Sequence, residues 1–225
     1  MRKLTINTFL TLDGVMQAPG GPEEDKSGGF EHGGWSVKYW DATMGNIMDE
    51  FMGKPFDLLL GRKTYEIFAA HWPHVTDDPA ATALNKATKY VASKTLDTLD
   101  WQTSKLLGAD VARAVAELKR GDGPEIQVHG SGNLIQTLLK HDLIDEYRLW
   151  FFPLVLGTGK RLFAEGTIPA GLKPIGSQTS TTGVIFAKFE RGGSIGYGSF
   201  ALEQPTEEEV ERREKVAAEA PAARR

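Results

Sequence analysis

The chain has 225 residues, of which 40% are hydrophobic and 25% are charged, and its formal net charge at pH 7 is -4. This is the composition of an ordinary globular protein, and the lack of a basic surplus argues against nucleic acid as a general partner. There is no cysteine, which excludes a disulfide, a thiol nucleophile and an iron–sulfur cluster. The polar N-terminal segment and the lack of a long apolar run lead us to expect a cytoplasmic protein without a membrane span.

The first half of the chain predicts two strands that are each followed by a helix. Residues 3–14 are typical of a strand that ends in an Asp-Gly turn pair, and residues 56–61 of a short buried strand. Residues 41–53 have the apolar spacing of an amphipathic helix, and residues 62–72 predict a helix that a proline stops. Residues 17–35 are rich in glycine and proline and have no periodicity, so we expect a long, mobile loop there; long loops in compact domains are often lids or binding loops.

The second half repeats this alternation and adds a hairpin. The predicted strands span 88–94, 103–108, 125–130 and 145–157, and the predicted helices span 110–121 and 131–142. Pro153 predicts a bend or bulge late in the last of these strands. Residues 182–202 predict a β-hairpin that turns at Gly192-Gly193.

Strands that alternate with single helices favour a three-layer α/β fold. Its central sheet would be mainly parallel, with helices on both faces and an antiparallel hairpin at the C-terminal end. We expect residues 1–203 to form one domain, because no interior linker divides them. Residues 204–225 are a charged tail in which Thr206 and Glu209 have the spacing of a capping box, so a solvated or frayed helix is expected.

Charged residues follow the predicted strand at 56–61. Gly61 allows a tight turn, and Arg62, Lys63 and Thr64 occupy the first turn of the next helix. Positive charges at a helix N-terminus oppose the helix dipole unless an anion lies there, and the Thr64 hydroxyl and Arg62 can both bind phosphate oxygens. The alternative is a solvated basic pair that forms a salt bridge with a neighbouring acid.

Two further strand ends carry groups that suit an anion. Ser93 and Lys94 offer a hydroxyl and an ammonium group for a terminal phosphate, such as the 2′-phosphate of NADP, although a surface turn is an open alternative. Further along the chain, a glycine-rich turn would let a pyrophosphate approach the backbone; it consists of Gly130, Ser131, Gly132 and Asn133. This turn is not the dinucleotide fingerprint, because Ile135 stands where a third glycine is needed.

Acidic and aromatic residues near these junctions suggest a substrate pocket. Asp13 could bond a nitrogen heterocycle or relay a proton, or it could be a turn residue before Gly14. Asp49 and Glu50 are secondary acid candidates that surface exposure would also explain. Aromatic residues that could line a pocket for a flat ring, or pack in the core, are Trp35, Tyr39 and Trp40.

Histidines do not predict a metal site. His71 and His74 have an H-x-x-H spacing, but Pro73 disrupts the helix that would align them. His129 and His141 are expected to be structural or solvent-facing. Neither a G-x-S-x-G elbow nor a Walker loop is present, which argues against a serine hydrolase and an NTPase.

Five segments of the chain resemble motifs of one protein superfamily and occur in the same order. They are TLDG at 11–14, LLLGRKTYE at 58–66, YVASK at 90–94, VHGSGNLIQTLL at 128–139 and DEYRLWFFPLVLGTGKRLF at 145–163. Over residues 2–202 the chain resembles the dihydrofolate-reductase-like superfamily, and most of all the branch that contains the reductase domain of bacterial riboflavin biosynthesis. The resemblance implies NADPH-dependent hydride transfer to a small heterocycle such as 5-amino-6-(5-phosphoribosylamino)uracil.

The resemblance also implies roles for individual residues. Residues 61–64 would hold cofactor phosphate, Ser93 and Lys94 would select the 2′-phosphate, and the segment from Gly130 to Leu134 would cover the pyrophosphate and the nicotinamide side. Asp13 would be a catalytic or substrate-side residue. The substrate pocket is expected to include Asp13, Gly14, Trp40, Asp49, Leu156 and Gly157.

The resemblance leaves other functions open. The segment at 153–163 would also contribute to a homodimer contact. The glycine-rich loop at 17–35 departs from the lid of true folate reductases, and a zinc deaminase domain would need cysteines that this chain lacks. The alternatives are a dihydrofolate reductase with a divergent lid and a non-catalytic NADP-binding or scaffold protein of the same fold.

Overall fold

Alternating strands and helices build one mixed sheet in the computed structural model, which describes residues 1–219. Over these residues the strands are β1 (Leu4–Thr11), β2 (Phe56–Gly61), β3 (Lys89–Ala92), β4 (Ser104–Leu106), β5 (Glu125–His129), β6 (Glu146–Phe152), β7 (Gly171–Thr179) and β8 (Ile185–Gly193). Their order across the sheet is β4-β3-β2-β5-β1-β6-β8-β7. Strands β1 to β6 pair in parallel, whereas β8 runs antiparallel to β6 and β7. The predicted mainly parallel sheet with a C-terminal antiparallel hairpin is confirmed.

Helices cover both faces of this sheet. They are α1 (Ala42–Met52), α2 (Arg62–Ala69), α3 (Pro79–Lys86), α4 (Val111–Arg120) and α5 (Gly132–Lys140). Apolar residues of α1, α2 and α3, among them Met44 and Leu84, pack with Leu58 in one core cluster. Val115 of α4 and Leu138 of α5 belong to a second core cluster. The predicted three-layer arrangement is therefore confirmed.

Aspartate side chains stabilise the starts of two helices. Asp41 accepts a hydrogen bond from the Met44 amide at 2.9 Å at the start of α1. Asp78 accepts one from the Ala81 amide at 2.8 Å at the start of α3. Each carboxylate satisfies an amide that has no partner within its own helix, which fixes where the helix begins.

Two elements differ from the prediction. The hairpin turns between β7 and β8 at residues 180–184 and not at Gly192-Gly193, which end β8. Strand β7 was not predicted, because its residues are largely exposed and include Pro174 and Gly176, where the register with β8 shifts. Helix α3 was also not predicted, since its only buried residues are Ala81 and Leu84 and alanine gives a weak apolar signal.

The chain divides into two compact units, Met1–Gly193 and Ser194–Arg225. The second unit contains α6 (Glu207–Glu219), and the Thr206 hydroxyl accepts a hydrogen bond from the Glu209 amide at 3.3 Å. The last six residues of the predicted tail, 220–225, lie outside the described residues. Among residues 1–219, no helix has the length and apolar character needed to cross a membrane.

Candidate active site

A cavity of about 980 Å³ lies at the carboxyl ends of the parallel strands, with the ends of β2, β3 and β5 in its wall. This is where ligands bind in open α/β sheets. The residues predicted to bind a cofactor all line this cavity: Gly61, Arg62, Lys63, Thr64, Ser93, Lys94, Gly130, Ser131, Gly132, Asn133 and Leu134. The structure therefore brings together three junctions that are far apart in sequence.

The glycine-rich turn after β5 is fastened to the start of α2. Gly130 and Ser131 both have left-handed backbones, with φ of 65° and 69°, a conformation that is costly for serine. The Ser131 hydroxyl accepts a hydrogen bond from the Gly61 amide at 2.9 Å and donates one to the Thr64 hydroxyl at 2.8 Å. These bonds hold the two junctions at one spacing.

Ser93 is also used within the protein. Its hydroxyl accepts hydrogen bonds from the amides of Thr95 at 3.1 Å and Leu96 at 2.9 Å. These contacts shape the turn after β3, which leaves the neighbouring Lys94 exposed in the cavity wall. Lys94 is thus accessible from the cavity, as its predicted role in phosphate binding would require.

The basic residues at the start of α2 are paired with acids. Arg62 donates to both carboxylate oxygens of Glu66, at 2.9 and 3.0 Å. Lys63 lies 3.8 Å from a carboxylate oxygen of Asp25. Arg62 thus forms the salt bridge to a neighbouring acid that the sequence left open as an alternative. Arg62 and Lys63 nevertheless both line the cavity.

The loop at 17–35 forms another part of the wall. The sequence predicted a long, mobile loop, but several hydrogen bonds fix the conformation of this segment. Gln17 donates to the carbonyls of Asp25 at 3.0 Å and Ser27 at 2.9 Å, and Trp35 donates to the Gln17 carbonyl at 2.8 Å. Gln17 also accepts a bond from the Lys160 amide at 3.0 Å. These bonds hold the loop against the segment after β6.

Asp25 links this loop to two lysines. Its carboxylate accepts hydrogen bonds from the ammonium group of Lys160 and from the Ser27 hydroxyl, and it faces Lys63. Burial raises the pKa of Asp25, but the bonds from Lys160 and Ser27 outweigh burial and lower the pKa to about 2. The carboxylate is therefore charged at neutral pH and sits beside the cations that border the cavity.

The wall nearest α1, α2 and α3 is apolar. Most of its apolar residues belong to these three helices, and the others lie in β1, just before α1 and between α2 and α3. In chain order they are Phe9, Trp40, Met48, Met52, Ile67, Phe68, Trp72, Ala80 and Leu84. Trp40 is 48% exposed. The other two candidate aromatics pack in the core, since Trp35 and Tyr39 contact Phe152 with ring centroids 5.1 and 5.7 Å apart.

A polar network lies on the sheet at the edge of this apolar wall. The Trp150 indole donates to the Asn7 side-chain oxygen at 2.8 Å, and the Asn7 amide lies 3.3 Å from His129 Nδ1. His129 Nε2 lies 2.9 Å from the Gln127 side-chain oxygen. Burial and, to a smaller extent, the charge of Arg148 lower the pKa of His129 to about 4. His129 is therefore expected to be neutral at pH 7; a proton on Nε2 would be donated to Gln127 and would leave Nδ1 to accept from Asn7.

Sequence reasoning missed Asn7 and placed His129 only as structural or solvent-facing. Both side chains line the cavity. The signal that could have found them is a polar residue within a buried parallel strand, where a near-continuous apolar run is usual. In β1, Asn7 occupies such a position between Ile6 and Thr8.

Asp13 does not line the cavity. Its carboxylate accepts hydrogen bonds from the Thr11 hydroxyl at 2.6 Å and from the amides of Leu156 at 3.2 Å and Gly157 at 2.8 Å. The Thr11 bond is the largest of the contacts that lower the pKa of Asp13 to about 2, and Arg161 lies 3.4 Å away. These contacts support a structural role in which Asp13 holds the turn after β6.

Most of the other predicted substrate residues also lie elsewhere. Gly14, Leu156 and Gly157 surround Asp13 outside the cavity lining, and Asp49 is exposed on α1. Trp40 does line the cavity. The structure thus assembles the predicted cofactor residues but only one of the predicted substrate residues.

Sequence comparison identifies relatives over most of the chain. Residues 2–186 match the family model described as the RibD C-terminal domain. The uncharacterized protein YyaP of Bacillus subtilis strain 168 is 28% identical over 188 residues, which cover 82% of this chain and 92% of YyaP. The uncharacterized protein YwjB of the same organism is 26% identical over 180 residues, which cover 79% of this chain and 91% of YwjB.

Solved structures share the fold. A putative riboflavin biosynthesis protein from Shewanella sp. PV-4 has a TM-score of 0.63 at 22% identity, covering 85% of this chain and 99% of its own. Dihydrofolate reductase from Enterococcus faecalis, complexed with NADP(H) and RAB-propyl, has a TM-score of 0.53 at 14% identity, covering 84% and 96%. The fold is therefore the dihydrofolate-reductase-like fold expected from the sequence. Because the family match extends over residues 2–186, the chain belongs to the RibD C-terminal domain family.

Proposed function

We propose that the protein is an NADPH-dependent reductase of a small heterocyclic substrate. The observation that supports this proposal is the meeting of three anion-suited junctions in one cavity, after β2, β3 and β5. Two of these junctions lead directly into the N-termini of α2 and α5, where amide groups and the helix dipole favour an anion. Family membership and the NADP(H) complex of the enterococcal structure support a nicotinamide cofactor.

The residues of the cavity fit such a cofactor. A volume of about 980 Å³ is at the upper end of the roughly 300–1,000 Å³ usual for ligand pockets, so there is room for a small ring beside the cofactor. The junctions also supply cationic and hydroxyl donors to this cavity, among them Arg62, Thr64 and Lys94, and these are the groups that phosphate oxygens need.

Each junction would hold one part of the cofactor. Arg62, Lys63 and Thr64 would bind phosphate, Lys94 would select the 2′-phosphate, and the backbone after Gly130 would approach the pyrophosphate and nicotinamide. NADPH would supply a hydride when bound, and the protein would supply orientation and electrostatics. The loop at 17–35 would exclude water from the cavity, because its own hydrogen bonds hold it in the wall.

One observation favours a second candidate function, a non-catalytic NADP-binding protein. The predicted catalytic residue, Asp13, lies outside the cavity lining, and its carboxylate is occupied by the turn at Leu156 and Gly157. Such a protein would keep the fold and bind NADP but would not catalyse hydride transfer. Measured NADPH binding without oxidation by pterins, pyrimidine ribosides or simple carbonyls would favour it.

Calorimetric titration with NADPH and NADH tests the cofactor assignment. We expect NADPH to bind at least about tenfold more tightly, because a phosphate paired with a cation contributes more than about 1.4 kcal/mol in a partly buried site. Equal affinity for the two cofactors, or no binding, would contradict the assignment. NADPH oxidation with dihydrofolate and with 5-amino-6-(5-phosphoribosylamino)uracil would then separate a divergent folate reductase from a riboflavin-type reductase.

A further inference from the structure

We propose that the substrate half of the cavity binds a neutral, planar heterocycle that accepts a hydrogen bond on its edge, and that it rejects a substrate carrying a phosphate. The inference deepens the proposed function, since it names the class of molecule that would be reduced. It concerns recognition only, so it can be tested by binding in the absence of turnover.

The apolar wall of the cavity is rich in aromatic side chains. Phe9, Trp40, Phe68 and Trp72 supply aromatic surfaces, and Met48 supplies a thioether, all in the wall formed with α1 and α2. Aromatic faces bind flat rings by stacking, and methionine side chains adapt to the outline of a ligand. A flat apolar ring is therefore the shape and chemistry that this wall suits.

The positions of the cations carry the second step. Within residues 1–219 the lysines and arginines that line the cavity are Arg62, Lys63, Lys94 and Lys160. Arg62 is paired with Glu66, and both Lys63 and Lys160 face Asp25. A phosphate needs a cation or several donors when it leaves water. The apolar wall offers none, and the junction cations would already be engaged by the cofactor.

The Asn7 side chain carries the third step. Asn7 is only 5% exposed and lines the cavity. Its oxygen accepts from Trp150, and its amide nitrogen faces two acceptors, His129 Nδ1 at 3.3 Å and Met48 Sδ at 3.9 Å. A thioether is a weak acceptor, so one amide hydrogen of this buried group lacks a strong partner. A carbonyl oxygen or ring nitrogen of the substrate would accept it.

Titration calorimetry on the full chain at pH 7 tests the inference. The probes are lumazine, a neutral fused dione with ring nitrogens, and 5-amino-6-(5-phosphoribosylamino)uracil, each with and without saturating NADP⁺. With saturating NADP⁺, which would occupy the junction cations, we expect lumazine to bind at least tenfold more tightly than the phosphorylated compound; without NADP⁺ this preference should be smaller, because the cations are then open to the phosphate. With NADP⁺ present, equal or tighter binding of the phosphorylated compound, or binding of neither compound, would overturn the inference.

Variants of the wall locate the binding site. Trp40→Ala should weaken lumazine about tenfold by loss of stacking, whereas Val37→Ala is the matched control, since Val37 is 57% exposed and outside the cavity lining. Asn7→Asp keeps the acceptor used by Trp150 but removes the amide donor, and it should also weaken lumazine. Unchanged lumazine affinity in Trp40→Ala would contradict the assigned wall even if the Asn7 variant fails to fold.

The two proposals fail in different ways. If NADPH does not bind but lumazine binds in preference to the phosphorylated compound, the proposed function is wrong and the inference about the wall stands. If NADPH binds tightly and the phosphorylated compound is preferred, the cofactor assignment stands and the inference is wrong.

Discussion

The hydroxyl groups of Ser131 and Thr64 lie 2.8 Å apart and share a hydrogen bond, although the two residues belong to different strand-to-helix junctions. The same Ser131 oxygen accepts the Gly61 amide at 2.9 Å. The loop after β5 and the start of α2 are therefore held together by two hydrogen bonds. A site assembled in advance loses less conformational entropy when a ligand binds, so these internal bonds would favour binding at the proposed cofactor site.

Replacing Ser131 tests this connection. Ser131→Ala should lower the free energy of unfolding by about 1–2 kcal/mol, because the Gly61 amide and the Thr64 hydroxyl lose their shared partner. Ser131→Gly removes the same bonds but relieves the left-handed backbone, so it should be more stable than Ser131→Ala by about 1 kcal/mol. Urea unfolding measures both, and a Ser131→Ala protein as stable as the wild type would show that the two bonds add nothing.

Replacing Arg62 distinguishes a role in binding cofactor phosphate from a role limited to the salt bridge with Glu66. Arg62→Ala should weaken NADPH binding about tenfold, because it removes a phosphate donor, and leave stability nearly unchanged, because its pair with Glu66 is exposed and contributes little. Arg113→Ala is the matched control, since Arg113 forms the same i,i+4 pair with Glu117 on α4, outside the cavity lining. Calorimetry and urea unfolding give the two readouts. Equal NADPH affinity in both variants would favour the salt-bridge alternative.

Asp25 tests whether the loop at 17–35 is held by its ion pairs. Asp25→Asn should weaken the bonds to Lys160 and Lys63 and speed amide hydrogen exchange at Gly34, whose amide donates to the Ala18 carbonyl at 2.8 Å. Glu23→Gln is the control, because Glu23 pairs with Lys26 at the exposed surface of the same loop. Exchange rates that change equally in both variants would show that Asp25 has no special role.

His129 predicts a dependence of stability on pH. Its pKa is lowered from 6.5 to about 4 in the folded protein, so the unfolded chain binds more protons between these values. The free energy of unfolding should then fall as pH decreases from about 6.5 to about 4, and this contribution is fully present above that window.

Urea unfolding across this pH range measures the effect. His129→Gln should have a lower stability at pH 7 but a flatter pH dependence than the wild type, because the titrating ring is gone. His141→Gln replaces an exposed histidine just after α5 and should keep the wild-type slope. The same slope in all three proteins would show that His129 does not titrate in this way.

The fold could be predicted from the sequence because its buried strands and amphipathic helices have different periodicities. Exposed or alanine-rich elements carry little such signal, which is why β7 with its Pro174 and α3, whose buried residues are Ala81 and Leu84, were missed. The cofactor junctions could also be predicted, since glycine, hydroxyl and basic residues directly follow strands. The substrate side could not, because Asn7 bonds the Trp150 side chain and Asp13 bonds the backbone amides of Leu156 and Gly157, all more than 100 positions away.

The register shift near Pro174 has a consequence for how two chains could associate. Strand β7 is the outer strand at one end of the sheet, and β4 at the other end has only three residues. A proline has no amide hydrogen to donate, and irregular or very short outer strands are poor templates for another strand. The predicted homodimer, if it forms, would therefore not extend the sheet from one copy into the next, and its contact would be made by side chains.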